Sequence, residues 1–167
     1  MNPKFPSLIK KNTPMILFRF NNYLSYSFIE EHKKILENEE YVWIMKTGRL
    51  CKQSRLDNVT ENGGYIILKT PKKEGDRYYI GRYTDVINYF PDSKRCMPVY
   101  YNQMRENGDL IGLEIQCFKV NNIEELKNKE IEKLVLSINN RKVSEVISET
   151  RTAVMFIYNT ETLFIEI

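Results

Sequence analysis

The sequence predicts an α+β domain in which a small, curved mixed sheet is flanked by short helices. Three observations predict it. Three central stretches, Tyr41–Arg49, Gly64–Thr70 and Tyr78–Asp92, share one design: an apolar, aromatic-rich body that runs into polar or basic ends. A single strong helix signal, Ser27-Phe28-Ile29-Glu30, stands between two apolar runs. Glycines and prolines are few, seven and six in 167 residues, so long disordered linkers are not expected and one domain with a substantial core is.

Taken in order, residues 1–13 read as an irregular, basic arm with Pro3 and Pro6. Pro14–Phe20 is a short apolar strand, and Asn21-Asn22 turns the chain out of it. The capping box at Ser27 and Glu30 opens a helix over Phe28–Asn38. Its apolar face carries Phe28, Ile29, His32, Ile35 and Leu36. The Tyr41 strand follows, and Gly48 is its exit turn. Ser54 caps a short helix to about Thr60, and Asn62-Gly63-Gly64 breaks it. Thr70–Asp76 is a hairpin loop joining the strand at 64–70 to a long one at 77–90. Pro98–Tyr101 is a turn or short helix, and Asn107-Gly108-Asp109 a turn. Leu113–Val120 alternates like a half-exposed strand. Asn122 caps a short helix with Glu124 and Glu125 near its positive end. Ile131–Asn139 is a loop or short element, and Val143–Glu149 a brief helix. Ala153–Tyr158 and Thr162–Ile167 form a closing hairpin.

Composition excludes several classes. Hydrophobic (42%) and charged (28%) contents are those of a soluble globular protein. No run approaches a membrane span, and the first thirteen residues lack the apolar core of a signal peptide, so a cytoplasmic protein without membrane contact is expected. The net charge of +3 is too mild to declare nucleic-acid binding. Its distribution says more: Lys46 to Arg82 holds nine Lys/Arg against four acids, a net of +5 on strand ends and loops. That excess is either a solvated loop surface or a patch for an anionic ligand.

Catalytic and metal signals are weak. His32 is the single histidine and lies on the apolar helix face, the place of a core residue. Cys51, Cys96 and Cys117 are odd in number and widely spaced, against disulfides and structural zinc. Cys51 is the thiol to watch, because Arg49, Lys52 and Arg55 surround it and could lower its pKa, but no His or Asn orients it. The acid pairs Glu30/Glu31, Glu39/Glu40 and Glu124/Glu125 read as solvent-facing helix residues. No catalytic residue, metal site or cofactor is therefore expected. Trp43, the one tryptophan, shares a strand face with Tyr41 and Met45, while Val42, Ile44 and Lys46 share the other. It is either a core residue or a stacking wall for a planar ligand such as a base. Tyrosines 78, 79, 83, 100 and 101 would supply further walls, and basic strand ends would meet phosphates.

The order of these pieces resembles the PUA-like superfamily, and within it the EVE and YTH-type modified-base readers. The EVE opening strand, Tyr-Trp-Leu followed by Lys and a small hydroxyl residue, is matched by Tyr41-Val42-Trp43-Ile44-Met45-Lys46-Thr47 with one extra residue between the aromatics. A later EVE strand, Ile/Val-Gly-Ile-Ala-x-Val and then aromatic-Pro-Asp, is matched by Ile80–Val86 and Tyr89-Phe90-Pro91-Asp92. Gly64–Thr70 stands where that family places its central barrel strand. The likeness covers about residues 41–120. The family's Trp-Asp-Gly-Val-Arg-Asn segment is absent between 48 and 63, as is the Gly-Asp pair before the central strand, and residues 14–38 look like an added strand and helix.

The resemblance implies a PUA-like pseudo-barrel over 1–167 that is not an enzyme. It would seize an unpaired or flipped base, modified or plain, in an aromatic pocket with basic edges, often within a restriction or defence system. By position, Trp43, Lys46, Thr47, Gly48, Arg49 and the strand Arg82, Tyr83 and Asp85 carry over. Tyr100 and Tyr101 join them as candidate walls. The partner is then DNA, RNA or a free nucleotide. Two other readings stay open: a protein-interaction or inhibitor module of phage or defence origin, and a small enzyme using Cys51.

Overall fold

A computed structural model describes residues 5–165. The expected arm at 1–4 and the end of the last strand at 166–167 lie outside the described residues. The fold is α+β. Nine strands are described: β1 (Leu8–Ile9), β2 (Pro14–Arg19), β3 (Val42–Thr47), β4 (Tyr65–Lys69), β5 (Tyr78–Ile87), β6 (Ile115–Leu126), β7 (Leu134–Leu136), β8 (Val154–Asn159) and β9 (Leu163–Phe164). Five helices join them: α1 (Phe28–Asn38), α2 (Gln53–Glu61), α3 (Val99–Glu106), α4 (Asn128–Ile131) and α5 (Val143–Val146). None of the described helices is long and apolar enough to cross a membrane.

Seven strands form one mixed sheet in the order β3-β6-β5-β4-β2-β8-β7, antiparallel throughout except for β2 beside β4. β5 and β6 are the long strands, and their pairing slips at Arg82, Tyr83 and Asp85. Such bulges bend a strand and increase its twist. The sheet curls, and its inner face is filled by side chains from six of its seven strands. Ile16, Ile44, Ile66, Tyr83 and Phe118 are among them, with Val154 and Phe156 at the edge. α1 and α2 close the interior with Phe28, Ile29, Leu56 and Val59.

The outer face carries two more cores. One, under α4, α5 and the β1–β9 pair, joins Leu17, Ile67, Ile80, Leu134, Val143 and Leu163. The other joins Trp43, Met45 and Cys117 to Tyr100 and Tyr101 of α3. The alternation expected for β3 holds: Val42 and Ile44 point inward, Trp43 and Met45 outward.

α1 begins where its cap signal places it. The Ser27 oxygen accepts the Glu30 amide at 3.5 Å, but the second oxygen comes from Asn22, 2.9 Å from the Phe28 nitrogen, instead of from a Glu30 reach-back. α2 begins at Gln53, with Lys52 in the cap position and no side-chain cap from Ser54.

Two expectations fail. Asn122, Glu124 and Glu125 continue β6 instead of forming a helix, with Glu124 opposite Ile80 and Glu125 opposite Tyr79. The loop or short element expected over Ile131–Asn139 contains the short buried strand β7. The closing hairpin does not form. β8 already has β2 and β7 on its two edges, so Leu163-Phe164 pairs instead with Leu8-Ile9 in the arm expected to be irregular.

Candidate nucleic-acid interface

The basic turn after β3 is held by its neighbours. Gly48, at φ +95°, donates its amide to the Glu114 carbonyl (2.9 Å), a turn that favours glycine. The buried Lys46 ammonium donates to the Arg49 carbonyl. Gln116, 1% exposed, accepts the Cys51 amide at 2.9 Å. These contacts hold the turn from which Arg49 and Lys52 project, and Arg55 follows in the first turn of α2.

Across from this rim lies the other edge of the curled sheet. Between them runs a groove of about 850 Å³, walled by Lys46–Lys52 and Arg55 on one side and by Leu136, Ile138 and Val154–Phe156 on the other. The Arg55 guanidinium carbon sits 3.9 Å from the centre of the Phe156 ring, a cation–π contact at the groove wall. A second hollow of about 280 Å³ shares Thr47 and Ala153 with the groove. It is aromatic: Phe18, Phe20, Tyr23 and Phe28 line it, with Met45, Met104 and the tyrosines of α3 at its floor and Arg19, Asn21 and Asn22 at its polar side. A third, of about 240 Å³, shares Arg19, Phe20, Asn21 and Ala153 with the second. These shared lining residues set the three side by side along one trough. Among the described residues every charged side chain that lines it is a cation, and the acids Glu74, Asp109 and Asp76 bond to the lining residues Asn22, Tyr23 and Lys69.

The expected site residues divide sharply. Lys46, Thr47, Gly48 and Arg49 line the groove. Tyr100 and Tyr101 reach the aromatic hollow as floor, but both are 2% exposed. Trp43 lines none of the three. It packs on the outer face against Tyr41, edge to face at 5.8 Å, and is 9% exposed. It is a core residue and not a stacking wall, because its strand face is the one α3 covers. Tyr83 is buried inside the sheet with its hydroxyl on Thr60 and the Leu56 carbonyl. Arg82 leaves on the outer face, its Nε donating to the Gly63 carbonyl at 2.9 Å. Asp85 pairs with Lys119 at 3.9 Å. None of the last three reaches the trough.

Sequence reasoning passed over Arg19, Phe20, Tyr23, Arg55, Arg151 and Phe156. The signals existed. Asn21-Asn22 marks a turn that had to leave Phe20 and Tyr23 near a strand end, and Arg55 is the third cation of the 49–55 run. The strand, turn and helix over 14–38 thus supply four of the hollow's aromatics, Phe18, Phe20, Tyr23 and Phe28.

His32 closes a buried relay. Its Nδ1–H donates to the Phe28 carbonyl (2.7 Å), which leaves Nε2 to accept from the Tyr101 hydroxyl (2.6 Å). That hydroxyl accepts the Met45 amide at 3.0 Å. Burial lowers the His32 pKa to about 4 and raises that of Tyr101, so both stay neutral. They are structural groups. Burial also raises the Cys51 thiol, although Lys46 and Arg55 pull the other way. An activated thiolate therefore gains no support. Among the described residues no cluster of three or more His, Cys, Asp or Glu could hold a metal ion. Comparison with family models, with curated proteins and with solved structures finds no match.

Proposed function

We propose that the protein is a nucleic-acid-binding module. In it the trough tracks a sugar–phosphate backbone and the aromatic hollow takes one base, modified or plain. The observation that carries this reading is the charge bias: a concave surface whose lining holds eight cations beside aromatic and aliphatic side chains, against three carboxylates, Glu74, Asp76 and Asp109, that bond to the lining residues Asn22, Lys69 and Tyr23. Cations neutralise phosphates and ring faces stack on bases, and that pairing of surfaces suits a single strand. Tyr23, half-buried and lining the aromatic hollow, replaces Trp43 as the base-contacting aromatic, while Phe20, buried and stacked on Phe28 at 4.1 Å, backs the wall. The PUA-like assignment belongs to the same proposal. It is supported by the curled mixed sheet with its filled interior and by the β3 turn at the groove rim.

The test is binding of plain and modified single-stranded oligonucleotides across a salt series, with wild type, Tyr23→Ala and an Arg49→Ala/Lys52→Ala double variant. The expected result is affinity that falls with salt, a shallower salt slope in the double variant, and altered base preference in Tyr23→Ala. Affinity indifferent to both salt and base identity overturns the proposal. A protein partner retained at high salt without nucleic acid would put the interaction-module reading in its place.

A further inference from the structure

The third hollow differs from the rest of the trough in charge density. Arg19, Lys69, Lys72 and Arg151 converge on about 240 Å³, with Thr70 and Asn21 as neutral polar neighbours. Lys69 is the unusual member. Its side chain is 5% exposed, so an ammonium group has been brought out of water beside three other cations. Its one carboxylate partner is Asp76 at 3.1 Å, and its second contact is the Thr70 carbonyl at 3.0 Å. Arg19 donates to the Thr150 carbonyl, which fixes the guanidinium at the hollow's wall. Among the described residues Arg19, Lys72 and Arg151 make no ion pair.

Four cations against one acid repel each other, and a low-dielectric wall makes that repulsion stronger. A bound anion relieves it. A phosphodiester brings one charge, whereas a phosphate monoester brings about −1.5 to −2 at neutral pH and three acceptor oxygens suited to guanidinium forks. The excess therefore matches a monoester better than an internal backbone link. The hollow shares Arg19, Phe20 and Asn21 with the aromatic one, so the two lie side by side across a common wall.

Resting on the proposed reading of the trough, we infer that this hollow binds the terminal phosphate monoester of the nucleotide whose base fills the aromatic hollow. The protein would then hold a strand by its phosphorylated end. A free nucleoside monophosphate offers the same chemistry.

The experiment measures affinity of the full chain for one short oligonucleotide in three forms: hydroxyl at both ends, phosphate at the 5′ end and phosphate at the 3′ end. A nucleoside and its monophosphate are measured alongside. Lys72→Ala/Arg151→Ala is the diagnostic variant, since both residues are exposed and outside the cores. Lys69→Gln is the second. The expected result is a tenfold or greater preference for one phosphorylated end. The double variant should abolish that preference, so that all three strands bind it with equal affinity. If the three strands bind equally, the inference falls and the strand-binding reading stands. If no strand binds but the monophosphate does, and the double variant loses it, the inference stands for a free nucleotide and the strand reading falls. If neither strands nor monophosphate bind, both fall.

Discussion

His32 and Tyr101 show how much of this protein rests on single buried polar contacts. The Tyr101 hydroxyl serves both His32 Nε2 and the Met45 amide, tying α1, α3 and β3 together. Tyr101→Phe keeps the ring but strands two buried groups, and should cost about 3 kcal/mol in urea unfolding. The same relay predicts acid sensitivity. Folded His32 titrates at about 4 and an unfolded histidine at 6.5. Between those values the unfolded state binds the extra proton. Its stabilisation is therefore complete above about pH 6.5 and is lost as pH falls, by about 1.4 kcal/mol per unit down to about pH 4. Urea midpoints at pH 7, 5.5 and 4.5 should show this decline, and His32→Gln should remove it while leaving the carboxylate contribution. Arg55 behaves differently because it is exposed. Arg55→Ala should lower oligonucleotide affinity at least threefold while changing stability by less than about 1 kcal/mol, the worth of an exposed cation–π contact. Thermal melts beside anisotropy titrations would separate the two effects.

At the scale of elements, β2, β3, β4, β5, β8 and α1 were legible because local pattern and tertiary role agree. α1 carries its own cap and face, and β3 its own alternation. β6 was not legible past Val120. Val120, Ile123 and Leu126 are buried three apart, a helix-like spacing. It arises because the bulge at Asn121 adds a residue between Val120 and Ile123, and because Leu126 faces the opposite core. A strand buried on both faces loses the period-two signal. The junction between α2 and β4 gives a further prediction. Gly64 has φ +67°, and a Cβ there would lie 2.2 Å from the Tyr83 carbonyl oxygen. Gly64→Ala must push the β4–β5 pair apart and should cost more than about 2 kcal/mol. Gly48→Ala, at φ +95° with open space around it, should carry only backbone strain of about 1–2 kcal/mol. Chemical denaturation of both variants checks the ordering.

For the whole molecule the trough makes a quantitative expectation. If it neutralises backbone phosphates, the logarithm of affinity falls linearly with that of salt, at about 0.7 per phosphate for a single strand. Removing one contacting cation, Arg49 or Lys52, should flatten that slope by about 0.7–1. Equal slopes in wild type and variants would move the binding surface away from the groove. The sequence by itself determined the α+β class, the faces of β3, the frame of α1 and the concentration of positive charge after β3. All of these depend on residues within a few positions of one another. What covers each face of β3, and which aromatics stand beside the cations, was decided only by the curl of the sheet. That curl brings Phe156 to Arg55 and Ala153 to Thr47 across about a hundred residues, and puts Trp43 beneath α3. Alternation assigns side chains to two faces, but it carries no information on which face another element will cover.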